Sequence, residues 1–528
     1  MRNLLILFIS ALLLSSCSNE FEPVEVDFFE NDTIPLAEKI KKVLEPNYMS
    51  NLGFNEEQTL WLQDYYSQHD YKPLWINDST LKSSGEKMKE TLSRSIWFGI
   101  PEKRLKITIQ KREHFVEEEI ILTAKLALVL NDLNNGFLNF EEKKFNPESF
   151  ASIDYLDSTL AFNKKLSYDK IFLKQGVADS NYQFISTKLY EFCAKYPIDK
   201  TSYDIQTIKI DSIQTLLKTT KALISKGYLQ ESKSKDSLEF KSALKTFQAQ
   251  NGLKQDGIVG KYTSWALNES TYNKVLRTSL MLEKLRQRKE YPEKCIRINI
   301  PEYKLRFYAN DSLKRVHNII VGKTENQTPE LVSKVNDIMV YPFWKVPYSI
   351  ASKEILPAAK RNSAYFSKNH FKVYRGDHEV NPHGINWKKI KQNSFPYTVI
   401  QQPGPGNSLG ILKFEFHNNY SVYVHDTPSK SLFRADVRSF SHGCMRCENP
   451  IELGKTILDY DSIKMKRNDL TADSLDSLLA IGENYRIKLR DPIPIYVEYN
   501  TVYADRDVLI FYLDIYKRDE EYLKIMNE

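Results

Sequence analysis

The residues best suited to covalent chemistry lie in one stretch that contains His425 and Cys444. A cysteine nucleophile needs a partner that raises its thiolate fraction, and imidazole is the side chain best matched to that task near neutral pH. We therefore predict that Cys444 is the nucleophile and His425 its general base and acid. His425 ends a run of β-branched and aromatic residues that reads as a strand, so the adjacent Asp426 should point to the opposite face. Ser441, through its carbonyl or hydroxyl, is the better candidate to orient the imidazole.

Gly443, directly before the predicted nucleophile, permits a sharp turn and a close approach of the backbone to a substrate. The backbone N–H groups of Gly443 and Cys444 are then candidates for an oxyanion hole, in which one donor typically contributes about 2.7 to 4 kcal/mol to transition-state stabilisation. Downstream, Asn449 is a good cap residue and Pro450 suits the first position of a helix, so a helix should begin there.

Cys444 and Cys447 form a C-x-x-C pair, which leaves other kinds of site open. A redox motif of this kind belongs at a strand-to-helix junction in a βαβ unit, and the surrounding sequence lacks that alternation. A four-coordinate zinc site would draw on His425, His442, Cys444 and Cys447. A reversible disulfide between the two cysteines, which would silence the enzyme in an oxidising envelope, is a further hypothesis.

The length and composition indicate a globular, multi-domain protein. A chain of 528 residues with 41% hydrophobic residues predicts roughly three or four domains. The 74 basic and 68 acidic residues leave a net charge of +6 without a dominant basic block, so we predict no nucleic-acid binding. Five cysteines are too few for a disulfide-stapled scaffold, and Cys193 and Cys295 read as small core residues.

The first seventeen residues resemble a bacterial lipoprotein signal. Arg2 is followed by an apolar run from Leu4 to Leu14, which is too short for a permanent membrane span, and then by small residues before Cys17. We predict that Cys17 is lipidated, and Ser18 after it favours the outer membrane. The alternative is an ordinary secretory signal with an incidental cysteine. Residues 18–50 are acidic and polar, and we predict a tether there.

The remaining chain predicts a multi-domain α+β architecture. Helical periodicity over 51–207 indicates a helical scaffold domain, and 208–272 predicts a small three-helix module. From about residue 293 the period changes to two, which indicates a mainly β catalytic domain over 273–462, with an inserted subdomain at about 347–398 that could act as a lid. Residues 463–528 are predicted to complete the scaffold or the catalytic domain.

Two parts of the chain resemble known families. Residues 208–272 are similar to a peptidoglycan-binding module, with a DGxxG turn at Asp256–Gly260. His425 and the run Ser441-His442-Gly443-Cys444-Met445-Arg446 resemble the signature of YkuD-type L,D-transpeptidases. Further stretches look like the long branch of that family: Asn299–Pro301, Ile320–Lys323, Trp344–Pro347 and Gln402–Gly410. In that branch a scaffold region, a peptidoglycan-binding module and a capping insertion accompany the catalytic domain.

The resemblance implies a two-step acyl transfer that requires no cofactor and no metal. Cys444 would attack the carbonyl of the L-centre at the third residue of a donor tetrapeptide stem, release the terminal D-alanine and form a thioester. An acceptor amine from the third residue of another stem, deprotonated by His425, would then resolve the thioester. His442 would contact substrate or shape the oxyanion hole, and Arg446 would bind a substrate carboxylate or hold the loop.

Three classes of function therefore compete. The first is an enzyme that cross-links peptidoglycan stem peptides, has the stem peptides and glycan as its partners, and is anchored to the outer membrane by its lipid. The second is an L,D-carboxypeptidase or a D-amino-acid-exchange enzyme, which would use the same thioester with water or another acceptor. The third is a catalytically silent wall-binding lipoprotein, which an intact Cys444 and His425 disfavour. The sequence does not define the oligomeric state.

Overall fold

The computed structural model describes residues 28–29, 33–78, 80–106, 114–208, 210, 212–465, 470–505 and 507–527. The predicted signal and its lipidation site, Cys17, lie outside these residues. The described residues divide into two compact units, one within the ranges 1–90 and 107–126 and the other within the ranges 91–106 and 127–528. Within the described ranges, no helix has the length and apolar character needed to cross a membrane.

The first half of the chain is helical, as the periodicity predicted. Its helices are α1 (Leu36–Val43), α2 (Pro46–Asn51), α3 (Glu56–Gln68), α4 (Ser83–Ser93), α5 (Glu117–Asn135), α6 (Ile153–Phe162), α7 (Tyr168–Leu173), α8 (Ser180–Lys195), α9 (Ser212–Ser225), α10 (Ser237–Gln250), α11 (Lys261–Asn268) and α12 (Thr271–Gln287), with a short hairpin of β1 (Leu138–Asn139) and β2 (Lys144–Phe145). The tether predicted for 18–50 is wrong from residue 36 onward, where α1 and α2 begin the helical region. The few apolar residues of α1, among them Ile40 and Val43, are buried on one side of this lysine-rich helix.

Helices α9, α10 and α11 fall within the segment for which the sequence predicts a three-helix module. Gln248 at the end of α10 joins the turn between α10 and α11. Its side-chain amide donates to Asp256 at 2.9 Å and to Thr263 at 3.2 Å, and its side-chain oxygen accepts from the Gly257 N–H at 2.8 Å. Because Gln248 is buried, these bonds fix the turn without leaving its amide unpaired.

The second half of the chain is rich in strands. They are β3 (Cys295–Asn299), β4 (Lys304–Ala309), β5 (Ser312–Gly322), β6 (Leu331–Val340), β7 (Trp344–Lys345), β8 (Phe371–Arg375), β9 (His378–Val380), β10 (Thr398–Gln401), β11 (Leu412–Phe416), β12 (Val424–His425), β13 (Ser439–Ser441), β14 (Met445–Cys447), β15 (Tyr485–Glu498), β16 (Val502–Asp505) and β17 (Val508–Phe511). Nine of them form one sheet in the order β13-β5-β14-β12-β11-β6-β15-β3-β4. The strand-rich character predicted for this region is therefore confirmed.

Alternation along the central strands separates an apolar face of this sheet from a polar one. Leu412 and Phe414 on β11, Val424 on β12 and Met445 on β14 are at most 1% exposed and belong to the main core. Because successive strand residues point to opposite sides, the residues between them share the other face: Lys413, Glu415, Tyr423, His425, Cys444 and Arg446. The catalytic candidates therefore lie together on the polar face.

A second sheet, in the order β7-β10-β8-β9, occupies residues 344–401, where the sequence predicts the insertion. It carries α13 (Tyr348–Ile350), a π-helical turn at Ala351–Ile355, α14 (Leu356–Arg361) and α15 (Ala364–Lys368). Phe366, Val373, Trp387 and Val399 are buried in a core of its own.

The C-terminal extension includes a central strand of the main sheet. After α16 (Pro450–Met465) and α17 (Ala472–Ile481), β15 pairs with β6 on one side and with β3 on the other. The β16–β17 hairpin and α18 (Glu520–Asn527) follow. The Tyr516 hydroxyl donates to the Gly322 carbonyl at 2.6 Å, which connects the tail to β5.

Candidate active site

Two short parallel strands, β12 and β14, position the candidate catalytic side chains. Val424 lies opposite Met445, and His425 lies opposite Arg446. The Met445 N–H donates to the Tyr423 carbonyl at 3.0 Å, which fixes this register. Cys444, directly before β14, is therefore a diagonal neighbour of His425 on the same polar face.

The Cys444 thiol is partly exposed, and its Sγ lies 3.8 Å from the Ser421 carbonyl. Burial raises the pKa of this thiol above its ordinary value. Hydrogen bonding with Tyr423 and the positive charges of Lys413 and Arg446 oppose that increase in pKa. The resting cysteine is therefore a neutral thiol beside groups that would stabilise a thiolate.

His425 is 5% exposed, and its pKa is lowered to about 3. Burial is the main cause, followed by the charge of Arg446, while the Asp426 and Leu409 backbone raise the pKa. The imidazole is therefore neutral at physiological pH and can accept a proton. Its Nδ1 has no hydrogen-bond partner, and no hydrogen bond joins the ring to Cys444 in the part of the chain that the structure describes. Such contacts often tighten only when substrate binds.

Ser441 does not orient the imidazole, which corrects the sequence prediction. Its hydroxyl donates to the Cys444 carbonyl at 2.6 Å and accepts from the Gly443 N–H at 3.2 Å. Its carbonyl accepts from the Lys323 N–H at 2.9 Å. Ser441 therefore closes the turn before the nucleophile, and the Cys444 N–H is the remaining member of the predicted oxyanion pair. Gly443 has a φ of +113°, which favours glycine at this turn.

Asp426 is held apart from the imidazole of His425. Its carboxylate accepts from the Ile411 N–H at 3.0 Å and pairs with Lys430. His442 instead contacts the insertion, since its Nε2 lies 2.5 Å from Glu354 Oε1 in the π-helical turn. The inserted subdomain therefore touches the loop that carries the nucleophile.

Cys447 lies on the apolar face of the sheet, opposite to Cys444. It is fully buried in the main core, and both cysteines are free. A disulfide or a shared metal would need both sulfur atoms on one side, which the alternation of β14 prevents. Among the described residues, no group of three His, Cys, Asp or Glu side chains is arranged to hold a metal ion.

The sequence interpretation missed two neighbours of the thiol, Tyr423 and Lys413. The Tyr423 ring lies 5.5 Å from that of His425, and the Lys413 ammonium lies 4.1 Å from the centroid of the Tyr423 ring. Tyr423 could have been found, because it is two residues before His425 and so shares its face. Lys413 could not, because its position follows from the pairing of β11 with β12.

Comparison with protein families assigns a domain to each of three segments. Residues 293–465 match the family described as "L,D-transpeptidase catalytic domain" (YkuD), residues 60–177 a "Scaffold domain", and residues 219–267 a "Putative peptidoglycan binding domain". Residues 293–465 are therefore similar to YkuD-type L,D-transpeptidase catalytic domains. The residues of the polar face from Lys413 to Arg446 lie within the matched segment, whereas strand β15 follows it.

A relative from Haemophilus influenzae, named "Putative L,D-transpeptidase", is 30% identical over 225 residues. The match covers 42% of this chain and 44% of the relative, so it spans less than half of that protein. Two solved L,D-transpeptidase structures are each 12% identical to this chain. The match with the structure from Xylanimonas cellulosilytica covers 57% of this chain and 100% of that protein's chain, with a TM-score of 0.16. The match with the structure from Stackebrandtia nassauensis covers 58% of this chain and 97% of that protein's chain, with a TM-score of 0.17.

Proposed function

We propose that this protein is a cysteine-dependent L,D-transpeptidase that cross-links peptidoglycan stem peptides between their third residues. The observation that carries the proposal is the shared polar face of β12 and β14, where a partly exposed Cys444 is a diagonal neighbour of a buried, neutral His425. This geometry occurs within the segment that matches the L,D-transpeptidase catalytic domain.

The first step forms the acyl-enzyme. His425 accepts the thiol proton, and the charges of Lys413 and Arg446 favour the thiolate that results. The Cys444 sulfur attacks the carbonyl at the L-centre of the donor's third residue, the C–N bond to the terminal D-alanine breaks, and the leaving amine takes the proton from His425. The Cys444 N–H can stabilise the oxyanion that develops.

The second step transfers the acyl group. The side-chain amine of an acceptor's third residue loses a proton to His425 and attacks the thioester carbon. The new C–N bond forms as the C–S bond breaks, and the leaving Cys444 thiolate takes the proton back from His425. Water in place of the amine gives a tripeptide, so exclusion of water decides between cross-linking and hydrolysis.

The test is incubation of the full chain, in mild detergent, with purified disaccharide tetrapeptides, followed by mass analysis of the products. Dimers that have lost one D-alanine, absent with Cys444→Ala and retained with Cys447→Ser, support transpeptidation. Tripeptides without dimers would assign an L,D-carboxypeptidase. Products that do not depend on Cys444 would refute a cysteine mechanism. Cys447→Ser is a matched control because it removes a thiol from the opposite face of the same strand.

We also propose that the protein is held in the cell envelope by a lipid on Cys17 and by its wall-binding module. The lipoprotein-like run from Leu4 to Cys17 supports the anchor, and the match of residues 219–267 supports contact with peptidoglycan. Labelling of cells with a palmitate analogue should mark the wild type and not Cys17→Ala. Equal labelling of both proteins would contradict lipidation at this residue.

A further inference from the structure

A cavity of about 410 Å³ adjoins the candidate thiol on the polar face of the sheet. Its lining includes Asn336, Asp337, Lys413, Glu415, Ser421 and Tyr423. Two of these residues contact the nucleophile, since the Ser421 carbonyl lies 3.8 Å from Cys444 Sγ and Tyr423 is its hydrogen-bond partner. A substrate side chain that extends from the reaction centre in this direction therefore enters the cavity.

Asp337 lines this cavity and has one carboxylate oxygen without a hydrogen-bond partner. The residue is 6% exposed, and its Oδ2 accepts from Arg486 at 2.7 Å, whereas its buried Oδ1 has no hydrogen-bond partner. A buried acceptor without a donor is unfavourable, and a carboxylate more so than a neutral oxygen. A ligand that brings a positively charged donor would remove this penalty.

The strand registers set the separation between Asp337 and the thiol. Arg446 lies opposite His425, His425 opposite Lys413, and Glu415 opposite Asp337. Cys444, Tyr423, Glu415 and Asp337 therefore follow one row across β14, β12, β11 and β6. Three strand spacings of about 4.8 Å place the two ends of this row roughly 14 Å apart. An ammonium bound at Asp337 is thus not the attacking amine but a remote group of the substrate.

We propose that this cavity binds the side chain of the donor's third residue and that its terminal ammonium pairs with Asp337. The inference rests on the proposed transpeptidase function, in which the third residue carries a side-chain amine. From Cys444 Cα through the thioester to that nitrogen there are about nine bonds, an extended reach of ~11 Å with bonds of ~1.5 Å. The Asp337 side chain and one hydrogen bond span the rest.

The charges around the cavity suit a side chain that ends in both an ammonium and a carboxylate. Glu415 lies beside Asp337 and is already paired with Lys413 at 2.5 Å. Arg486, whose side chain is 63% exposed, holds the other oxygen of Asp337 and can bind a substrate carboxylate next to the ammonium. Asp337 is here a positioning residue, because it acts at a distance from the reacting atoms.

The test compares two donor tetrapeptides that differ only in the third side chain, one with a free amine and one with that amine acetylated. With the full-length enzyme in excess, acylation of Cys444 is followed by intact mass. The wild type should acylate on the free-amine donor at least about tenfold faster, as expected for a charge-assisted hydrogen bond. Asp337→Asn should remove this preference, whereas Asp491→Asn, which disrupts an ion pair with Lys294 at another cavity, should retain it.

Equal rates on both donors with the wild type would overturn the proposal, and this result needs no variant to fold. So would an Asp337→Asn variant that slows both donors equally, because that pattern indicates a structural role. If neither donor acylates Cys444, the transpeptidase proposal fails, and the cavity is tested separately by titrating Cys444→Ala with the two corresponding tripeptides. Tighter binding of the free-amine tripeptide supports the cavity assignment, and equal affinity refutes it.

Discussion

Replacing Arg446 with methionine should raise the pKa of the Cys444 thiol. The guanidinium charge lowers that pKa in the native protein, and the two side chains share one strand face two residues apart. At a rise of about 3.3 Å per residue, roughly 7 Å separates their backbone positions. Unit charges at that distance interact by roughly 2 kcal/mol at an effective dielectric of about 20 and by roughly 0.6 kcal/mol in bulk water.

Arg446 is partly buried, so we expect an intermediate loss of roughly 1 kcal/mol, or about 0.7 pH unit. Alkylation by iodoacetamide measures this directly, because only the thiolate reacts. Below the thiol pKa, the rate for Arg446→Met should be about fivefold lower than for the wild type at the same pH. Intact mass identifies the product, and Cys447 is too buried to react at a comparable rate.

Arg375→Met is the matched control, because Arg375 is exposed in the insertion and should leave the thiol unchanged. Superimposable pH–rate profiles for Arg446→Met and the wild type would refute the electrostatic role of Arg446. A shift of the variant's profile to lower pH would do so as well.

Three further predictions follow from the site geometry. Because the folded pKa of His425 is about 3, below its unfolded value near 6.5, the unfolded chain binds more protons between these values. The free energy of unfolding should therefore rise with pH across that window, and His425 contributes at most about 1.4 kcal/mol per pH unit to this rise. In urea titrations, His425→Asn should show a weaker rise than the wild type. An identical pH dependence of the two proteins would contradict this. Gly443→Ala should reduce stability by about 1 to 3 kcal/mol and should slow acylation, because Gly443 has a positive φ. Gly384→Ala, at a position with open space around it, should change neither stability nor acylation. Equal behaviour of both variants would argue against strain at Gly443. Oxidant should affect wild type and Cys447→Ser equally, because Cys444 and Cys447 lie on opposite faces; protection by the substitution would revive the disulfide hypothesis.

Local patterns in the sequence were sufficient to predict the helices and strands that position the site. The change from helical to strand periodicity near residue 293 and the helix start at Pro450 are both present in the structure. Alternation alone places His425 and Tyr423 on one face. Errors arose where few apolar residues define a helix, as in α1, whose buried Ile40 and Val43 are surrounded by lysines.

Contacts between strands that are distant in sequence could not be predicted in this way. Lys413 lies opposite His425, where its charge acts on the thiol, because β11 pairs with β12. Asp337 joins the row of Cys444, Tyr423 and Glu415 because β6 pairs with β11. Ser441 illustrates a second limit, since its hydroxyl has several acceptors and donors in reach. The closure of the turn around Gly443, and not the residue type, decides that it bonds to the backbone of Cys444.

The central claim is that Cys444 becomes acylated by a peptidoglycan stem peptide. The most direct measurement is intact mass of the full-length protein after brief exposure to a disaccharide tetrapeptide, with the modified residue located by fragmentation. We expect an added mass equal to the donor less one D-alanine, located on Cys444, slowed by His425→Ala and absent in Cys444→Ala. An unmodified Cys444 while D-alanine is released, or the same added mass on another residue, would contradict the mechanism.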